Sequence, residues 1–133
     1  MANAIYPLYK QALLDADTNA DLNDGTVMVA LVDTGTYTYS DTDQFLDDMS
    51  GVVGTAQEIT NTTVANGVLD GDDVSFTAVS GATPDALVIY IDTGSSATSR
   101  LVEYIDTGQT GLPVTPNGGD ITITWNASGI FAL

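Results

Sequence analysis

Apolar residues change their spacing along this chain, and the change divides it. Ile5, Leu8, Tyr9, Ala12 and Leu13 recur at three- and four-residue intervals with Pro7 near the first turn, which predicts an amphipathic helix from about residue 4 to 14. The polar stretch Asp15 to Gly25 reads as a loop, and the short β-branched run Val27 to Val32 as a buried strand. Asp41 with Gln44 three residues later resembles a capping box ahead of Phe45, Leu46 and Met49, which predicts a short helix near 41 to 49. From Glu58 onward, runs of β-formers alternate with Gly, Asn, Asp and Pro: Ile59 to Val64, Val74 to Val79, Ala86 to Ile91, Leu101 to Ile105, Ile121 to Trp125 and Ile130 to Leu133. Strict alternation places Ile121, Ile123 and Trp125 on one face and the intervening threonines towards solvent.

About seven short strands with frequent turn signals predict a mainly β fold: an antiparallel β-sandwich, immunoglobulin-like or jelly-roll, with a short N-terminal helix. Val29, Leu31, Phe76, Ile89, Leu101, Ile123 and Trp125 are its expected core. No linker or charge block interrupts the pattern, so residues 1–133 are expected to form a single domain.

Charge narrows the functions open to such a domain. Eighteen acidic residues face two basic ones, Lys10 and Arg100, for a net charge of −16. Binding a phosphate backbone takes clustered Lys and Arg, so no nucleic-acid partner is expected. Repulsion also disfavours an anionic membrane surface, and no apolar run reaches the length of a membrane span. Of the acids only Glu58 and Glu103 are glutamates; the rest are aspartates, which favour turns and caps. Cysteine and histidine are both absent, which removes thiol nucleophiles, the commonest general base and the commonest transition-metal ligands. The expectation is a non-enzyme with no cofactor. Met1 to Tyr6 lacks the charged and apolar regions of a secretory leader, so synthesis in the cytoplasm is expected.

Three motifs invite chemistry. Asp-Thr-Gly occurs at Asp33-Thr34-Gly35, Asp92-Thr93-Gly94 and Asp106-Thr107-Gly108, and is the signature of aspartic proteases, in which two carboxylates share a proton. Asp92 and Asp106 should instead end two strands of one hairpin. A bilobal enzyme needs a longer chain, and a retroviral-type dimer needs a glycine-rich flap that is missing here. The triplets therefore read as strand ends. Asp15 to Gly25 suggests a calcium loop, but in the EF-hand register Ala20 replaces the turn glycine and Thr26 the final glutamate. A looser calcium site stays as an alternative, and no metal ligands are assigned. Asp70, Asp72 and Asp73 read as a turn tip, Arg100 as pairing with Glu103, Asp92 or Asp106, and Tyr37 and Tyr39 as the exposed aromatics that a sugar platform would need.

The order of certain segments resembles a family of small virion structural proteins of tailed phages, many from marine or aquatic hosts. The segments are Ala4-Ile5-Tyr6, Val27 to Tyr37, Asp43-Gln44-Phe45-Leu46, Asp72 to Phe76, Ala86 to Ile91, Ala97 to Leu101, Gly111 to Trp125 and Ile130 to Leu133. The resemblance spans the whole chain. It implies a virion protein made in the host cytoplasm, read here as a capsid decoration or cement protein on the outer face of the major capsid protein. Self-association, as a trimer, goes with that role. The alternatives are a tail, neck or fibre component, or a calcium- or glycan-binding host-attachment module. For the oligomer or capsid contact, the expected residues are the stripe Ile5, Leu8, Tyr9, Ala12 and Leu13.

Overall fold

The computed structural model describes residues 3–133, so Met1 and Ala2 of the expected domain lie outside the described residues. In chain order the elements are β1 (Ala4–Ile5), α1 (Pro7–Asp15), β2 (Thr26–Val32), one 3-10 turn (Leu46–Asp48), β3 (Val52–Glu58), β4 (Thr63–Ala65), β5 (Val68–Asp70), β6 (Val74–Phe76), β7 (Ala86–Asp92), β8 (Arg100–Ile105), β9 (Ile121–Ile123) and β10 (Phe131–Ala132). They form a mainly β, antiparallel, sandwich-like domain with one short helix. A five-stranded sheet runs β1-β8-β7-β2-β3; a three-stranded sheet runs β10-β5-β4, and β6 pairs with β9.

The continuous apolar runs occupy the middle of the large sheet, because only a strand covered on both faces tolerates apolar side chains at successive positions. All six residues of β8 are buried, as are Ala86 to Ile91 of β7. Register places Val29, Ile89, Glu103 and Ile5 in one row on one face, and Ala30, Val88, Tyr104 and Ala4 in a row on the other. Val29, Leu31, Phe76, Ile89, Leu101, Ile123 and Trp125 are all buried as expected, in a single cluster that spans the three sheets and α1.

Several expectations need correction. The helix starts at Pro7 and not at residue 4, because proline disfavours the α conformation in the residue before it. Tyr6 accordingly sits at φ −57, ψ 127 and donates its amide to the Val102 carbonyl at 3.0 Å, continuing the short strand β1. Around 41 to 49 there is only the 3-10 turn, and the cap works backwards: the Asp48 carboxylate accepts the amides of Gln44 (2.8 Å) and Phe45 (3.1 Å).

The run Ile59 to Val64 is not one strand. Ile59 ends the pairing of the edge strand β3, whose Gly54 at φ +71 lies within the register shift opposite Val29 to Leu31, a bulge that bends an exposed edge. Thr63–Ala65 then turns through Asn66 (φ 54) and Gly67 (φ 76) into β5, the two left-handed residues of a tight hairpin.

Candidate contact surface

The end of α1 shapes a mostly apolar recess. At the helix C-terminus Ala16 adopts the left-handed conformation, φ 54 and ψ 43, so that its amide bonds Leu13 and the amide of Asp17 bonds Ala12. The chain then folds back along the helix, and the Tyr9 hydroxyl holds it by donating to the Ala20 carbonyl at 2.9 Å. Ala20 and Leu22 are thereby buried. Between helix and loop lies a groove of about 400 Å³, lined by Tyr9, Ala12, Leu13 and Ala16, by Asp17 to Asn23 in part, and by Val64 and Leu133. Val64 and Leu133 are 46% and 64% exposed, and Leu14 of α1 is 89% exposed.

The predicted stripe is split by this geometry. Tyr9, Ala12 and Leu13 line the groove; Tyr9 and Ala12 are buried as part of the core, and Leu13 is half-buried. Leu8 is half-buried outside the groove, and Ile5 belongs to β1, in the row with Glu103. Sequence reasoning missed Val64 and Leu133 as partners of the helix. The Asn66-Gly67 pair, a strong hairpin signal, would have placed Val64 on a separate exposed strand.

The Asp-Thr-Gly triplets end strands β2, β7 and β8. Asp33 accepts the Gly35 amide at 2.9 Å and the Thr36 hydroxyl at 3.2 Å; Asp92 accepts the Gly94 amide at 3.0 Å. Asp106 accepts the Thr107 hydroxyl, while the amides of Asp106 and Thr107 donate to the Asn3 side chain. Antiparallel pairing sends Asp92 to the opposite end of the sheet from Asp33 and Asp106. Those two are on strands separated by the width of β7, about 10 Å.

Other aspartates tie together segments distant in sequence. Asp72 accepts from Thr60 and Asn61, Asp73 from the Trp125 amide, and Asp85 clamps both the amide and hydroxyl of Thr34. Among the described residues no three acidic side chains converge as a metal-holding set. No helix there is long and apolar enough to cross a membrane.

Two further readings change. Arg100 does not pair within its hairpin: its Nε donates to the Thr18 carbonyl at 2.9 Å, its Nη2 lies 3.7 Å from Asp17, and its guanidinium stacks over Phe45 at 5.2 Å. The cation therefore fastens the acidic loop to the sheet. Tyr37 and Tyr39 form no exposed platform. Tyr37 is buried, its hydroxyl donating to Asp43 at 2.6 Å and meeting the Tyr6 hydroxyl at 2.8 Å. Tyr39 packs against Tyr6 and Tyr104 with ring centroids 5.1 and 5.3 Å apart. Burial pushes the Tyr6 and Tyr37 hydroxyls well above the ordinary tyrosine value, and the neighbouring Asp43 adds to the rise at both.

Glu103 is the one buried acid of the central sheet. It is 7% exposed, one carboxyl oxygen has no hydrogen-bond partner, and desolvation pushes its carboxyl up to about 8.

No protein-family model matches this chain, and no curated protein matches its sequence.

Proposed function

We propose that this protein is a structural component of a tailed-phage particle, a decoration or cement protein that binds the outer face of the major capsid protein and stabilises the head. The observation that carries the reading is the groove. Exposed Val64 and Leu133 both line it, together with Leu13 of α1, on a surface otherwise crowded with aspartates. Clustered exposed apolar side chains mark contact sites, and a recess of this kind serves binding without chemistry. The segment resemblance supplies the setting, a virion. Self-association as a trimer fits the same role, since a closed ring hides exposed strand edges such as β3 and β4.

The deciding experiment is a density map of the intact particle together with co-sedimentation of the purified protein with particles stripped of it. Density on the outer capsid face, at three-fold positions, is the expected result. Density in the tail, neck or fibre selects the alternative location, and a protein absent from particles ends the virion reading.

A further inference from the structure

The groove beside α1 has an apolar floor and an acidic rim, and the rim selects what enters. Asp17 and Asp21 line it, and Asp15 and Asp24 belong to the same stretch of chain. Arg100 is buried and engaged with Asp17 and Thr18, so it presents no cation to solvent. A second copy docked groove to groove would set the same carboxylates, Asp17 and Asp21, against this rim, opposing like charges at this contact.

We propose that the groove takes a segment of a different protein in which a large apolar side chain is flanked by lysine or arginine. This rests on the reading of the protein as a binding component of a particle, and it names the chemistry of the partner. The apolar anchor fills the recess over Ala12, Leu13, Val64 and Leu133, and the flanking cations meet Asp17 and Asp21. Affinity comes from the floor, while the rim governs association rate and choice of partner.

The test uses the full chain and three labelled synthetic peptides followed by fluorescence anisotropy. One carries leucine and phenylalanine among lysines, one the same apolar residues among glutamates, and one the same lysines among serines. The first should bind at least about tenfold more tightly than the other two. Val64→Ser with Leu133→Ser should weaken it about tenfold, and both side chains are exposed enough for the fold to survive. Asp21→Asn should weaken it about threefold through the association rate, the effect fading in high salt. Asn at position 21 keeps the oxygen that accepts the Asn23 and Asp24 amides, so the loop is preserved.

Equal binding of the lysine and glutamate peptides, binding untouched by the Val64 and Leu133 changes, or no binding of the first peptide overturns the proposal. So does concentration-dependent self-association that Leu133→Ser abolishes, since a second copy then fills the groove. The peptide assay contains no particles, so it can fail while the protein still co-sediments with them, and the particle role can fail while the peptide preference holds.

Discussion

The two parts of this molecule hold their shape by different means. In the central strands β2, β7 and β8, buried apolar side chains succeed one another on both faces. In the smaller sheets the strands are two or three residues long, alternate buried with exposed positions as in β6 and β9, and are tied by side-chain bonds, within a turn at Asn126 and between distant segments where Asp73 accepts the Trp125 amide. Continuous apolar burial fixes the first region; in the second, alternating anchors such as Leu69, Phe76 and Ile123 reach the shared core, and side-chain hydrogen bonds of aspartates and asparagines hold the segments between them. Much of the −16 charge sits on aspartates that accept such bonds, in turns as at Asp21, Asp33 and Asp92 and between distant segments as at Asp72, Asp73 and Asp85. Substitutions should then hurt most where burial is complete and least where a turn can keep its acceptor.

The sharpest exception inside the central sheet is Glu103, and it gives the largest expected effect. With its carboxyl raised from the usual 4.5 to about 8, the folded chain keeps a proton that the unfolded chain releases between those values. Stability is fully present below about 4.5, falls as pH rises towards 8 and levels above it. Each tenfold change in proton affinity is worth ~1.4 kcal/mol, so the loss is on the order of several kcal/mol. Glu103→Gln should remove that slope, matching the wild type in acid and exceeding it above pH 8. Urea denaturation of both proteins across pH measures the difference, and parallel curves would show that the carboxyl is charged and paired after all.

On the opposite face the tyrosine cluster tests whether hydrogen bonds matter in the burial-dominated region too. Tyr37→Phe keeps the ring packing against Tyr104 but deprives Tyr6 and Asp43 of their partner. The expected cost is about 1–3 kcal/mol, read as a lowered urea midpoint with unchanged slope. A neutral result would mean that water replaces the hydroxyl and that the cluster is held by its rings alone.

This division also explains what could be read from the sequence. The core was legible because β-branched runs such as Val27 to Val32 and Ala86 to Ile91 carry their burial in composition. The edge strand Val52–Glu58 was not, since Gly54, Thr55 and Glu58 are exposed and the bulge leaves only Val53 and Ala56 to reach the core, without an alternating apolar pattern. The partners of Arg100 were hidden because sequence proximity favours Glu103, whereas the loop at Asp17 and Thr18 is distant in sequence and arrives through the turn at Ala16. The apolar face of the helix was legible, but its other wall was not, because Val64 and Leu133 meet it only through tertiary structure.

The turn at Ala16 is itself a weak point of the periphery. An alanine at φ 54 bears the steric strain that glycine avoids, at a position where helices commonly use glycine. Ala16→Gly should raise stability by about 0.5–1 kcal/mol, visible as a higher thermal midpoint, since the strain it relieves exceeds the extra freedom of the unfolded chain. A loss would mean that the Ala16 methyl, which lines the groove, contributes more by packing than its backbone costs.

The smallest effect is expected at Asp33, where the protease signature is most suggestive. Its carboxylate accepts the Gly35 amide and the Thr36 hydroxyl, and those bonds shape the turn that leaves β2. Asparagine offers the same oxygen to the Gly35 amide, so Asp33→Asn retains the main turn contact and gives up the charge of a half-exposed side chain and its longer bond from the Thr36 hydroxyl. The change in stability should stay within about 0.5 kcal/mol. Shared-proton catalysis makes the opposite demand: a carboxylate facing a second one within hydrogen-bond reach, which replacement by an amide abolishes. Across the width of β7, Asp33 and Asp106 cannot meet that demand within one chain. Assaying the wild type and the variant for peptide cleavage at acid pH covers the remaining arrangement, in which two copies bring their Asp33 residues together. Cleavage by the wild type that the variant loses would make the β2 turn a reactive site and would overturn the view that the Asp33 carboxylate serves only to shape its turn.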